Sequence, residues 1–169
     1  MRLTDQSYQQ LPTSQFIKSA GKNCIAIAEI SGTQTVAHNT VTIINYNDVI
    51  YDPWGAITTG AAWKFTCPNG KAGFFTFIAA CRYNGFDWTA ANQNSLLDCY
   101  INGVNHRRVA LSFTQAAGFF AIFLKGDLLI YLNEDDYFDI RAYHIAGGTL
   151  TIPDVPSQIY IMVYRVGLL

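Results

Sequence analysis

The segment from Trp63 to Gly85 carries the pattern that most limits the fold. Its first part, WKFTC, alternates apolar and polar residues, which is typical of a β-strand with one buried face. After the turn sequence PNG, the run Phe74–Cys81 is apolar at nearly every position. Alternate residues of a strand point to opposite sides of its sheet, so this second strand presents apolar side chains on both sides. A two-layer sandwich buries only the inner sides of its sheets. The apolar residues on the outer side of this strand must therefore be covered by another segment or another molecule.

The same two-sided pattern recurs in Phe119–Leu124 and in Ile159–Tyr164. Charged residues make up only 14% of the chain and hydrophobic residues 50%, whereas charged residues usually contribute about 25%. No helical segment is available as a cover, so the pattern favours a second copy of the chain lying against one sheet. The alternative is a thick core with one sheet capped by loops.

Turn residues divide the chain into about ten short apolar runs, and no helical period extends beyond two turns. The runs predict an all-β fold, an antiparallel jelly-roll sandwich, in one domain over residues 21–169. Tight hairpins are expected at Asn102-Gly103 and at Lys125-Gly126-Asp127. Residues 1–20 are polar and Gln-rich, and we interpret them as an arm or attachment segment, the alternative being a frayed terminus.

Charge and hydropathy exclude several classes of function. The net charge of −1 and pI near 6.2 give no electrostatic basis for binding nucleic acid. No apolar stretch approaches the roughly 18 residues of a membrane span, so membrane insertion is not expected. The N-terminal sequence lacks the apolar centre of a secretory signal, so we expect no export by that route.

Two further segments complete a set of motifs that resembles a known family. The segment VTIINYNDVIYDPWGAITTGAAWKFTCPNGKAGFFTF resembles the globular head of the complement component one-q family. The segments FLKGDLLIYLN and SQIYIMVYRVG resemble the corresponding strands of tumour necrosis factor-like domains. The chain departs from the pattern in having Phe75 where tyrosine is usual and in a longer insert at Asn69–Ala72. The matching positions are Tyr51, Asp52, Thr59, Gly60, Phe65, Thr66, Pro68, Gly73, Phe75 and Phe77.

The resemblance implies a homotrimer of ten-stranded jelly rolls whose inner sheets meet at a threefold axis. Similar domains without a signal peptide or collagen stalk occur in bacteriophage virions as fibre tips, capsid decorations or receptor-binding heads. We therefore expect a non-enzymatic structural or adhesive virion protein. Its partners would be itself, other virion proteins through the arm, and a host surface glycan or protein. The alternative is a free-standing lectin-like or protein-binding trimer. The trimer interface is expected at Phe120, Ile122, Tyr131, Tyr160, Met162 and Tyr164.

Aromatic residues in two predicted loops are candidate ligand contacts. The segment Arg82–Asn94 sets Tyr83, Phe86 and Trp88 among amide and carboxylate side chains, and Trp54 lies in another loop. Flat apolar rings beside hydrogen-bonding groups suit a glycan or a protein surface. The alternative is that these rings pack over one end of the sandwich.

Catalytic and metal-binding patterns are weak. No cofactor is predicted, and calcium is left open because Glu134, Asp135, Asp136 and Asp139 are clustered in the sequence. The three histidines are scattered, without the spacing of a triad or of a metal-dependent cupin enzyme, so no catalytic residue is assigned. The four cysteines are interpreted as small buried residues, with a disulfide pair as the alternative.

Overall fold

The computed structural model describes residues 24–166, and the predicted arm at residues 1–20 lies outside this range. One 3-10 turn, Pro156–Gln158, is the helical element within the range. No helix formed by these residues is long and apolar enough to span a lipid bilayer. The strands are β1 (Cys24–Glu29), β2 (Gln34–Val36), β3 (Thr42–Ile43), β4 (Asp48–Tyr51), β5 (Ile57–Thr58), β6 (Lys64–Thr66), β7 (Gly73–Trp88), β8 (Asn94–Ile101), β9 (Val104–Phe113), β10 (Gly118–Leu132), β11 (Tyr137–His144), β12 (Leu150–Ile152) and β13 (Tyr160–Val166).

These strands form two antiparallel sheets and one small pair. The five-stranded sheet has the order β10-β7-β13-β1-β4. The six-stranded sheet has the order β5-β6-β11-β8-β9, with β3 also paired to β11, and β2 pairs with β12. In the five-stranded sheet the first and last strands of the described range, β1 and β13, are neighbours. The predicted all-β antiparallel jelly roll is confirmed.

The core lies between the two sheets and is built from the inward-pointing residues of alternating strands. Phe77 of β7 and Phe138 of β11 stack with ring centroids 4.9 Å apart, and this contact joins the two sheets. Phe65 and Trp63 also approach Phe138, at 5.4 and 6.3 Å between ring centroids. All four side chains are fully buried. Each such aromatic pair contributes roughly 0.5–1.5 kcal/mol beyond the area that it buries.

Strand β10 corrects one of the sequence predictions. The hairpin predicted at Lys125-Gly126-Asp127 is absent, because β10 runs unbroken from Gly118 to Leu132 and pairs with β7 along its length. Gly126 serves another purpose: a Cβ there would lie 2.1 Å from the carbonyl oxygen of Val109 in β9. The glycine therefore permits a close approach between backbones rather than a turn.

Strand β7 corrects a second prediction. The expected loop at Arg82–Asn94 is strand as far as Trp88, and the Asn84-Gly85 pair forms no turn. A bulge shifts the register, because Tyr83 pairs with Ile122 whereas Phe86 pairs with Phe120. The extra residue in β7 reverses the side to which the following side chains point. Phe86 and Trp88, which follow the bulge, are thereby turned toward the core, whereas Tyr83 points inward by the regular alternation before the bulge.

The four cysteines are free and buried, as expected for small core residues. Burial raises the pKa of the Cys81 thiol far above its ordinary value. Burial, with Asp139 and Asp98 nearby, raises the pKa of Cys99 to about 12. The thiols therefore stay protonated near neutral pH, a state that disfavours nucleophilic or metal-binding chemistry.

Candidate functional site

The outward side of the five-stranded sheet carries a continuous surface of apolar and aromatic side chains, here called the apolar face. Phe74, Leu129 and Tyr131 are 52%, 54% and 51% exposed, although they are large and apolar. Single exposed apolar residues are common on protein surfaces, but a continuous patch indicates an interaction surface. The apolar face consists of Phe74, Ile78, Phe123, Leu129, Tyr131, Tyr160, Met162, Tyr164 and Val166.

Strand register sets these side chains in rows across the sheet. Tyr131 of β10, Phe74 of β7 and Val166 of β13 form the first row. The rings of Phe74 and Tyr131 meet edge to face, with centroids 5.2 Å apart. In the second row Leu129 and Tyr164 flank Thr76. Neither row contains a charged residue, so the surface at this end of the face is mostly apolar and its exposure to water is unfavourable.

Charged residues enter the apolar face only from the third row, with Asp127 beside Ile78. In the next row the Lys125 ammonium lies 5.7 Å from the centre of the Tyr160 ring. Hydrogen bonding to Tyr160 raises the pKa of Lys125. Glu29 pairs with Tyr160 and Asp48, and desolvation, then the negative charge of Asp48, raises the pKa of Glu29. The face therefore has one uncharged end and one charged end.

The predicted interface residues divide between the two sides of the sheet. Tyr131, Tyr160, Met162 and Tyr164 lie together on the apolar face, and the Tyr164 hydroxyl contacts Met162 Sδ at 3.3 Å. Whether they form a subunit interface stays a prediction.

Two of the predicted interface residues do not reach that surface. The placement of Phe120 and Ile122 beside Tyr131 on the outward side is wrong, because both point inward from β10. Ile122 is only 5% exposed, and Phe120 stacks on Trp88. In one unbroken strand, residues 120 and 131 differ by an odd number of positions and point to opposite sides of the sheet. Continuing the alternation through Gly126 would have identified Phe123 and Leu129 instead.

The predicted ligand-contact aromatics are mostly buried. Tyr83 is fully buried, and Trp88 is 2% exposed with its Nε1–H donated to the Phe120 carbonyl at 3.2 Å. The predicted exposure of both is therefore wrong: the bulge turns Trp88 inward, whereas Tyr83 precedes the bulge and continues the inward positions of Phe75 and Cys81. Phe86 is half-buried and packs edge-on against Trp88, at 6.1 Å between centroids. Trp54 is half-buried against the core, with the Lys71 ammonium 5.2 Å from its ring.

The acidic segment after β10 forms structural hydrogen bonds. Asp136 accepts hydrogen bonds from Asn102 and from the backbone and side chain of Asn133, and these bonds lower the Asp136 pKa. Glu134 accepts from the Gly70 amide at 2.8 Å, and Asp139 pairs with Arg141. Within residues 24–166, no three His, Cys, Asp or Glu side chains are grouped to hold a metal ion. Asp135 adopts a turn conformation with a φ of 65°. Calcium binding stays an untested expectation.

The histidines also lack a catalytic arrangement among the described residues. His38 and His144 are 6.4 Å apart between ring centroids, and each accepts a backbone N–H at Nδ1. His106 is exposed on β9. His144 is buried and hydrogen-bonded to backbone at both nitrogens, which suits a structural role.

Comparison with known proteins identifies the class of fold. No protein-family model matches the sequence. No curated protein matches it significantly. Among solved structures, the Eiger TNF of S. frugiperda is similar with a TM-score of 0.56 and 12% identity, over 86% of this chain and 94% of that one. Murine APRIL is similar with a TM-score of 0.57 and 9% identity, over 86% of this chain and 100% of that one.

A zebrafish complement 1qA globular domain is also similar, with a TM-score of 0.49 and 14% identity over 81% of this chain and 98% of that one. At such identities the likeness establishes the fold and no more. The similarity to the Eiger TNF and to APRIL therefore shows that the chain has the jelly-roll fold of tumour necrosis factor-like domains, as its motifs predicted. The sandwich aligns with nearly the whole length of these neighbours.

Proposed function

We propose that the protein is a non-enzymatic, self-associating structural or adhesive module that forms a homotrimer through the apolar face. The observation that carries this proposal is the uncharged end of that face. There Phe74, Leu129 and Tyr131 are about half-exposed on the outward side of a sheet. Contact with water makes a large exposed apolar patch unfavourable, so a chain that carries one tends to associate. A second copy of the same chain is always present as a partner.

We take the number of subunits, three, from the resemblance to tumour necrosis factor-like domains. The similarity in fold supports this number. An obligate interface typically buries about 2,000 Å² or more and is mostly apolar at its centre. The rows of the apolar face supply a surface of that character across β10, β7 and β13. Three copies on one rigid body would present identical loops, so that weak contacts with a partner add through multivalency.

Light scattering with size-exclusion chromatography tests the proposal through a charge placed on the apolar face. In Leu129→Lys, a lysine replaces a side chain that is 54% exposed, and we expect the trimer to dissociate into single chains. Val41→Lys is the matched control, because Val41 is 48% exposed but lies at the six-stranded sheet. The control should keep the trimer mass. A monomeric unmodified chain, or equal dissociation of both variants, would contradict the proposal.

We place the module in a bacteriophage-type virion, as a fibre, decoration or receptor-binding head, with other virion proteins and a host surface as its partners. This placement extends the family resemblance and is a proposal of its own. Mass spectrometry of purified particles tests it: the protein should be enriched in particles relative to the lysate. Abundance in the lysate with absence from the particles would remove the virion setting without affecting self-association.

The alternative is a free-standing lectin-like module, and two of the four residues predicted to contact its ligand are not accessible. Tyr83 and Trp88 are buried and cannot stack on a glycan without opening the sandwich. Trp54 and Phe86 remain partly accessible. At the predicted site, glycan binding would therefore depend on Trp54 and Phe86 alone.

A further inference from the structure

The outward side of the six-stranded sheet contains a cavity of about 210 Å³ between β8, β9 and β11. This side is turned away from the apolar face, since the two sheets pack through their inner sides. The cavity and self-association can therefore be tested separately. Its lining residues are Val41, Leu96, Asp98, Arg108, Arg141 and Tyr143.

A buried carboxylate holds the first of two arginines in place. Asp139 has a side chain only 3% exposed and accepts from Arg141 Nε and Nη2 at 2.6 and 3.0 Å. The Arg141 guanidinium also lies 3.9 Å from the centre of the Tyr100 ring. Paired hydrogen bonds and stacking fix both the position and the plane of this group.

A second carboxylate holds the other arginine. Asp98 Oδ1 accepts from Arg108 Nε at 3.0 Å, and Asp98 Oδ2 accepts from Asn105 at 3.2 Å. All four carboxylate oxygens of Asp98 and Asp139 thus have protein donors. Among the described residues, no acceptor bonds Arg108 Nη1 or Nη2 or Arg141 Nη1. The cavity is therefore bordered by guanidinium groups whose orientation is set while part of their donors stays free.

The remaining lining adds an apolar surface beside the two ion pairs. Leu96 points outward yet is only 7% exposed, and Val41 lies nearby at 48% exposure. The charges of Arg108 and Arg141 are balanced by Asp98 and Asp139, and Arg107 lies outside the site because it pairs with the inward-pointing Cys99. The free N–H donors of the two arginines, next to Leu96 and Val41, therefore suit a ligand that carries a carboxylate and an apolar surface.

We propose that this cavity binds a carboxylate-bearing sugar ring, such as a hexuronic acid residue of a surface glycan. The ligand carboxylate accepts hydrogen bonds from the free nitrogens of Arg108 and Arg141. One face of the ring packs against Leu96 and Val41, and its hydroxyl groups reach the Tyr143 oxygen and Asp98. The cavity volume suits a single monosaccharide unit rather than a longer chain.

Titration with sodium D-glucuronate, followed by calorimetry and by backbone amide shifts in NMR spectra, tests the proposal. Methyl glucoside supplies the ring without the charge, and acetate supplies the charge without the ring. We expect glucuronate to bind at least about tenfold more tightly than either probe, since only glucuronate uses both the arginines and the apolar flank. The largest amide shifts should fall on β8, β9 and β11.

Three variants separate the site from general electrostatics. Arg108→Gln removes free donors at a half-exposed side chain and should weaken glucuronate binding about tenfold. Arg107→Gln, the matched control, lies outside the lining and should change binding by less than about twofold. Val41→Trp fills the cavity without altering charge and should abolish glucuronate binding. This variant tests the site even if Arg108→Gln folds poorly. Absence of glucuronate binding, equal binding of acetate, or equal losses in Arg107→Gln and Arg108→Gln would overturn the proposal.

Discussion

His144 is fully buried, and backbone groups use both of its ring nitrogens. Nε2 lies 2.9 Å from the Val36 carbonyl oxygen, and Nδ1 accepts the Ala146 N–H at 3.2 Å. This arrangement requires a neutral ring with its proton on Nε2. Desolvation lowers the pKa of His144, the nearby His38 lowers it further, and the hydrogen bond to Val36 acts in the opposite direction. The imidazole is therefore a structural link between β11 and the strand that contains Val36.

The stability of the fold should depend on the protonation of His144. Its pKa in the folded state lies below the unfolded value of about 6.5, so between these values the unfolded chain binds more protons. The free energy of unfolding should therefore fall as the pH drops below about 6.5, by at most about 1.4 kcal/mol per pH unit. Denaturant unfolding at a series of pH values, at one protein concentration, measures this slope.

Substitution separates His144 from the other titrating groups. His144→Gln removes the titrating ring and should flatten the slope between pH 5 and 6.5, approximately the window below the unfolded pKa. His106→Gln, at an exposed position on β9, should leave the slope unchanged. An unaltered slope in His144→Gln would show that other groups cause the pH dependence.

At the scale of elements, β10 depends on a contact that no local pattern contains. Lys125-Gly126-Asp127 has the composition of a turn, yet it lies in the middle of a paired strand. Gly126 is required because the backbone of β9 approaches β10 there. Local composition cannot distinguish a glycine in a turn from a glycine that allows another strand to approach closely. The approaching strand is distant in sequence, so the local pattern carries no sign of it.

Two alanine substitutions test this interpretation of Gly126. In Gly126→Ala the new Cβ would meet the Val109 carbonyl oxygen at 2.1 Å, so the backbone of β9 must shift. We expect a destabilisation of about 1–3 kcal/mol or more, measured by denaturant unfolding. Gly85→Ala is the control: its Cβ would meet the Phe119 ring at 2.5 Å, but that ring is 72% exposed and can rotate away. Equal losses in both variants would argue against a special approach at Gly126.

At the scale of the whole molecule, the two outward sides of the sandwich differ in chemistry. The five-stranded sheet presents the apolar face, whose first two rows are uncharged. The six-stranded sheet presents paired charges, Asp98 with Arg108 and Asp139 with Arg141. One side is therefore suited to contact with further copies and the other to water or a polar ligand.

If the apolar face joins copies of the chain, thermal stability should depend on protein concentration. The folded, associated state is favoured by mass action, so the Tm should fall over about a hundredfold dilution. Leu129→Lys, which places a charge on the apolar face, should remove this dependence, whereas Val41→Lys should retain it. Differential scanning fluorimetry over a dilution series measures the effect. A Tm independent of concentration in the unmodified chain would contradict self-association.

The sequence by itself determined the class of the fold and the existence of a surplus apolar surface. Alternation with a period of two is a local property, so the half-buried strand at Lys64–Thr66 and the two-sided strand at Phe74–Cys81 could be recognised from their residues. The motifs around Tyr51 and Gly60 were sufficient to predict the jelly roll. Tyr160, Met162 and Tyr164 were placed on one side because they occupy a single uninterrupted strand.

Only the tertiary structure decided which side of the sheet each remaining residue faces. The bulge between Tyr83 and Phe86 reverses the direction of the later side chains of β7, and the unbroken path of β10 sets Phe120 and Ile122 on the inward side. Trp88 and Ile122, which had been assigned to the surface, are buried as a result, and Tyr83 is buried by the regular alternation of β7 before the bulge. The cavity near Arg108 and Arg141 combines the β8–β9 hairpin with β11, which is distant in the sequence. Register and proximity arise from pairing between distant segments, whereas a periodic pattern records only the nearest neighbours along the chain.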